Sequence, residues 1–213
     1  MRETLNATGI ILSAQPQGDN DKRIVIQSCE LGKITAFARG ARRPGSTLLA
    51  AANPFVMGRF TLIPGKNAYT LTEADVKDYF RELAMMIPDV YIGFYFLDLV
   101  DFYGREGLDG TDVLNLLYLS LKALIKNSLD NELVRRIFEL RLFAMNGDYA
   151  PGDNIEDEAL LKIIMYICTV PIERLFSFKL DSDKLNKLEK EADKARKRIV
   201  DRELKSLKIL EEF

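Results

Sequence analysis

Histidine is absent from this 213-residue chain, and cysteine occurs only as Cys29 and Cys168. Without histidine there is no Ser-His-Asp triad, no Cys-His dyad and no His-ligated metal. Neither cysteine belongs to a CxxC pair, so no zinc ribbon can form. Both are expected to be reduced, small apolar side chains, as suits a cytosolic compartment. The N-terminal MRETLNATGIILSAQ lacks the unbroken apolar core of a signal peptide. The most apolar later stretch, Val90–Val100, is too short to span a bilayer and runs straight into Asp101. The expectation is a soluble, cytoplasmic protein with no membrane partner. A P-loop, a glycine-rich phosphate cradle and a nucleophile with a plausible base are also missing, which argues against an enzyme.

What is present is a core and a lopsided charge. Hydrophobic residues make up 47% of the chain, enough for one large domain or two small ones. The net charge of −2 hides its distribution. Residues 1–72 carry nine Lys/Arg against four Asp/Glu, whereas the remainder carries 21 against 28. A basic front and an acidic rear suggest two modules with different partners.

The front reads as short strands over Thr8–Ala14, Arg23–Ser28 and Lys33–Arg39, then a small helix over Ser46–Ala52 capped by Ser46. A hairpin follows, Phe55–Ile63 and Ala68–Thr72, turning at Pro64-Gly65-Lys66-Asn67. Five strands with one helix between the third and fourth fit an OB-type Greek-key barrel, with an SH3-like barrel as competitor. From about Asp75 the period becomes helical, over Pro88–Tyr103, Thr111–Asn127, Asn131–Met145, Asp157–Cys168 and Asp183–Val200. The expected class is therefore α+β: an OB-fold barrel over 1–74 and an all-α helical domain over 75–213.

The chemistry concentrates in GKITAFARGARRPGS, Gly32–Ser46. Ile34, Ala36 and Ala38 fall on one face of a strand, with Lys33, Thr35, Phe37 and Arg39 on the other. A glycine-hinged loop carrying Arg42 and Arg43 follows. Guanidiniums gathered at a strand end repel one another unless an anion lies between them, and nucleic-acid phosphate is the commonest such anion. Lys22, Arg23, Lys33, Arg39, Arg42, Arg43, Arg59 and Lys66 are the candidate DNA contacts, with Phe37 offering a ring for a base. A basic surface neutralises phosphates and leaves base edges free to pair, as annealing of two strands requires. The plainer alternative is a solvated barrel rim, with Phe37 packed beneath the small helix.

The pattern resembles the bacterial DNA-repair and recombination-mediator family RecO. The resemblance rests on Gly9–Ser13 (GIILS), Leu31–Ile34 (LGKI), Arg39–Pro44 (RGARRP), Asn53-Pro54-Phe55, the arginine-rich Arg135–Leu142, then Gly147 and Tyr149, and Glu203–Leu207 (ELKSL). It implies an N-terminal OB domain on a helical domain. It also implies binding of single- and double-stranded DNA, annealing of complementary strands, and loading of RecA onto strands coated by single-stranded DNA-binding protein. The implied partners are RecR and the acidic C-terminal tail of the coating protein. No cofactor is implied. The four-cysteine zinc site of many relatives is missing, since Tyr149–Glu158 is only a short acidic loop. Gly45 also stands where relatives often carry another cation.

In the rear module, Arg136 would border an apolar groove made by Val134 and Phe138, with Arg135 beside it, to take the carboxylate and ring of that tail. The alternative is an internal ion pair of Arg136 with Glu132 or Glu139. Asp98, Asp101, Asp109 and Asp112 lie near glycines but not at EF-hand spacing, and are expected to be solvated or capping, with Asp112 starting a helix. Lys184–Lys208 holds ten basic and five acidic residues, with a docking seam of Leu185, Leu188, Ala192, Ala195 and Ile199 and a basic face that would offer DNA a second contact. The rival to a mediator is a protein adaptor whose basic loop meets an acidic partner.

Overall fold

The computed structural model describes residues 3–152 and 155–212. Two compact units share the chain: Met1–Ala84 with Leu97–Leu114, and Met85–Phe96 with Asn115–Phe213. The first is built on β1 (Leu5–Gln17), β2 (Asp21–Ser28), β3 (Gly32–Ala38), the one-turn α1 (Leu48–Ala51), β4 (Met57–Ile63) and β5 (Tyr69–Asp78). Around the closed barrel the strand order is β1-β2-β3-β5-β4. Only β3 and β5 run parallel, with Ala36 opposite Tyr69. A helix between β3 and β4 and a parallel β3–β5 seam make this the OB arrangement and not the SH3-like one.

The interior follows the period of two. Ile24, Ile26, Ile34, Phe60 and Leu62 are all but fully buried, and α1 closes one end with Leu48. Ser46 is not the cap itself: Thr47 holds that position with no side-chain bond, while the Ser46 hydroxyl accepts from the Leu48 N–H at 3.3 Å. β1 is longer than the sequence pattern suggested and bulges between Ile11 and Ser13, so Ile10, Ile11 and Leu12 are buried in succession. Such a bulge bends the strand around the barrel. Gly9 lies opposite Gly58 at this corner, and a Cβ on Gly58 would sit 2.2 Å from the Asp75 carbonyl oxygen. β5 runs on past Thr72 to Asp78 because Ala74 and Val76 keep the inward alternation between the exposed Glu73, Asp75 and Lys77.

A loop at 104–110 lies over the β2–β3 turn, although its neighbours in sequence are helical. The Lys33 N–H donates to the Arg105 carbonyl at 3.0 Å, and Gly107 and Gly110 donate to Leu31 and Cys29. The loop is reached from α3 (Asp89–Tyr103), which follows the short α2 (Arg81–Ala84).

The second unit contains α4 (Thr111–Lys126) from Asn115 on, α5 (Asn131–Met145), α6 (Glu158–Thr169), α7 (Ser182–Ile199) and α8 (Lys205–Leu210). Asp130, Asp157 and Asp181 cap α5, α6 and α7 by accepting from backbone N–H groups of the first turn. α5 is the central helix, packed on α6 and α7. Its Phe138 stacks on Phe96 at 4.0 Å between ring centroids. Residues 153 and 154 of the short acidic loop lie outside the described residues. No helix among the described residues is long and apolar enough to cross a membrane.

Candidate nucleic-acid interface

β2 and β3 pair so that Arg23 faces Phe37, and the row continues through Gln15 on β1 and Thr70 on β5. These four side chains lie on the outward side, because their strand neighbours Ile24, Ala36 and Ala38 fill the core. Phe37 is half-buried on this outer surface with Arg23 as its cross-strand partner. The β2–β3 face and its flanking turns are where barrels of this topology bind oligonucleotides.

At the end of β3 the chain enters the arginine loop. Gly40 has φ +66°, a left-handed conformation that favours glycine. Its N–H donates to Asp21 Oδ1 at 2.7 Å. Ala41 is fully buried and anchors the loop in the end of the barrel. Arg42 holds the β1–β2 turn twice, through its N–H to Asn20 O at 2.8 Å and through Nη1 to Gly18 O at 3.0 Å. Arg39, Arg42 and Arg43 are all exposed around this anchor. None of the three has a carboxylate partner among the described residues. A loop fixed at its middle and charged at its edges presents cations without the entropy of a free segment.

The other candidate cations are placed differently. The Lys22 ammonium is turned in, donating to Ala52 O at 3.0 Å and Asn53 Oδ1 at 2.6 Å. Burial and the charge of Arg42 lower its pKa from the ordinary lysine value. Lys33 donates to the Asp101 carbonyl at 2.7 Å and pairs with its carboxylate at 3.3 Å. Lys33 is therefore a clasp between β3 and α3, so Lys33→Met is expected to destabilise the barrel unit by about 1 kcal/mol, discounted for partial exposure. The salt dependence of DNA binding should stay unchanged, and a slope reduced by about 0.7 in a titration would return this lysine to the DNA face. Arg59 is exposed on β4, opposite Thr8 and Asp75 and away from the β2–β3 face. Lys66 is exposed in the β4–β5 turn, which the β3–β5 register puts toward the Gly32 end of β3, far from Arg39.

The groove expected beside Arg136 is closed. Val134 and Phe138 are fully buried, and Arg135 and Arg136 are 6% and 5% exposed. Arg136 Nη1 donates to Glu139 Oε2 at 3.0 Å and Asp193 Oδ1 at 2.9 Å, and its Nη2 pairs with Glu132 at 3.2 Å. Arg135 donates through Nε to Glu139 at 3.3 Å and lies over the Tyr95 ring. The Tyr95 hydroxyl completes the set, donating to Glu139 at 2.6 Å. Burial, then the Glu139 carboxylate, pushes the Tyr95 phenol well above its usual range. Burial works against the charge on Arg136, but Glu139, Glu132 and Asp193 outweigh it and hold the guanidinium protonated. The internal ion pair foreseen as the alternative is the arrangement present. Glu132 and Glu139 were legible as helical-spacing partners, whereas Tyr95 and Asp193 lie too far off in sequence to be read. Arg141 reaches the carbonyls of Ile167 and Cys168 at the end of α6.

The remaining carboxylates and thiols are structural. Asp109 accepts the Thr111 N–H at 2.8 Å, and Asp112 lies in the first turn of α4. Among the described residues no three carboxylate or thiol side chains converge on a possible metal position. Both cysteines are free, and burial pushes the Cys168 thiol up to about 11.

Comparison with known proteins adds to this geometry. Residues 1–80 match the family model described as Recombination protein O N terminal. The chain is 33% identical over 143 residues to the DNA repair protein RecO of Alkaliphilus metalliredigens, covering 67% of this chain and 58% of that protein. It is 33% identical over 147 residues to the DNA repair protein RecO of Acetivibrio thermocellus, again covering 58% of the relative. The matched stretch thus spans less than two thirds of these relatives.

Proposed function

The chain belongs to the RecO family, and from that premise we propose that it serves DNA repair and recombination by binding DNA non-covalently on its barrel. Its work would be to anneal complementary single strands and, with RecR, to help load RecA on strands coated by single-stranded DNA-binding protein, at the bacterial nucleoid. The observation that carries this reading is the pinned loop, which holds Arg39, Arg42 and Arg43 exposed around a buried Ala41 beside the Arg23–Phe37 row. Phosphates of single- or double-stranded DNA would lie along the arginines, and Phe37 would stack on a base. Lys22 and Lys33 would make no phosphate contact, since their ammonium groups are already taken. The helical unit, Met85–Phe96 with Asn115–Phe213, would offer surface to protein partners. The acidic tail of the coating protein is not assigned to Arg136, because entry there would have to break three ion pairs.

The test is a strand-annealing assay with complementary oligonucleotides, bare and coated. The chain is expected to speed annealing on both. Tight DNA binding with no acceleration of either reaction would reject the annealing role, and no DNA binding at all would favour the adaptor.

A further inference from the structure

Three rows of side chains point away from the barrel core on β2 and β3. The first, Gln15–Arg23–Phe37–Thr70, lies at the end where the arginine loop begins. The second, Ser13–Val25–Thr35, is nearly flush with the backbone, since Val25 is 7% exposed. The third, Ile10–Gln27–Lys33, is covered: Ile10 is fully buried and Gln27 is 3% exposed. The cover is the strap at 104–110, which belongs to the same compact unit as the barrel. A Cβ on Gly104 would stand 2.7 Å from Lys33 Cβ, and one on Gly110 would overlap Gln27 Nε2 and the Ser28 carbonyl oxygen, so only glycine lets the strap lie this close. The Lys33–Asp101 clasp and the backbone bonds of Lys33, Gly107 and Gly110 hold it down. The Tyr69 hydroxyl adds a bond to Glu106 at 3.0 Å.

The outer surface of the strap is acidic. Glu106 and Asp109 are exposed, as is Glu30 on the adjoining β2–β3 turn. Arg105 is the only cation between residues 104 and 110, and it turns back: its Nη1 donates to the carbonyls of Phe102, Tyr103 and Gly104 at 2.8–3.3 Å. The two ends of the β2–β3 face are therefore opposite in character. Phe37 and Lys33 are about 13 Å apart along β3, at roughly 3.3 Å per residue. A nucleic-acid strand held by the arginines and laid along β3 would run into backbone at Gly104 and then into three carboxylates that repel its phosphates. Laid across the strands, along Phe37 and Arg23, it meets neither. Taking DNA binding on the barrel as the premise, we propose that the 104–110 strap is a stop. It closes the Gly32 end of the DNA face and turns a bound single strand across β2 and β3 instead of along them. A crossing strand touches the barrel over few nucleotides and leaves the other base edges free to pair.

The test uses the full chain and dT strands carrying 4-thiothymine, cross-linked by light and mapped by mass spectrometry. Cross-links are expected in the Gln15–Arg23–Phe37–Thr70 row and in the arginine loop, with none in residues 104–110. Any cross-link to the strap of the unchanged chain overturns the stop. Bound DNA with no cross-link anywhere on the barrel rejects the barrel reading, and the stop with it. Charge reversal gives a second readout. In E30K/E106K/D109K the repulsion is gone and three cations border the path. The log–log salt slope should steepen by about 2, binding should tighten by about 10-fold at 0.1 M salt, and cross-links should spread onto the strap. An unchanged slope in a variant that circular dichroism shows to be folded would put the strap clear of the DNA path and overturn the stop while sparing the barrel reading.

Discussion

Replacing Arg39, Arg42 and Arg43 together with alanine is expected to weaken single-stranded DNA binding by on the order of 100-fold at 0.1 M salt and to flatten the log–log salt slope by about 2. Each cation that neutralises a phosphate releases a condensed counterion, and that release is the driving force lost. The effect should be equal across DNA sequences, since phosphate contacts carry no base information. Stability should change little. Among the described residues the one side-chain bond removed is the exposed Arg42–Gly18 contact, and the loop keeps its Ala41 anchor and the Gly40–Asp21 bond. Anisotropy titrations at several salt concentrations, beside a urea melt, separate the two quantities. A slope equal to that of the unchanged chain would mean these arginines face solvent and nothing else.

Glu139→Ala is expected to cost about 3–5 kcal/mol of stability in the helical unit, because removing one member of a buried ion-pair network leaves its partners charged and unsolvated. Glu139 is fully buried and accepts from Tyr95, Arg135 and Arg136. Without it the two guanidiniums keep only the more exposed carboxylates of Glu132 and, for Arg136, Asp193. Glu139→Gln keeps an acceptor for Tyr95 but removes the charge, and should fall between the two. Denaturant unfolding followed by circular dichroism reads the cost. DNA binding by the barrel at low temperature should be unaffected, which distinguishes a structural network from a ligand site. A loss under about 1 kcal/mol would show that the arginines find solvent or another partner, and would reopen the groove.

The barrel was legible because strand alternation is local. Ile34, Ala36 and Ala38 announce a buried face within seven residues, and the turn residues around them separate the strands. β5 was read short because its solvent side is charged, and charge masks an inward alternation carried only by Ala74 and Val76. Helix positions came from apolar recurrence, a local signal. The arginine loop was legible as a cluster. Its pinning by Asp21 and Asn20 was not, since those partners lie about twenty residues earlier, on another turn.

By itself the sequence determined the five strands in order and the five longer helices, that histidine chemistry is closed to this chain, and that cations gather after the third strand. Those properties depend on neighbours within a turn or a hairpin. Only the tertiary structure decided which cations stay free. Lys22, Lys33 and Arg136 resemble Arg39, Arg42 and Arg43 in the sequence, yet the first three are partly or fully buried against oxygens brought from distant segments, whereas the other three stay exposed with no carboxylate partner among the described residues. A cation that reaches a phosphate releases a counterion condensed on the nucleic acid, whereas one held inside the fold by other partners cannot take its place there.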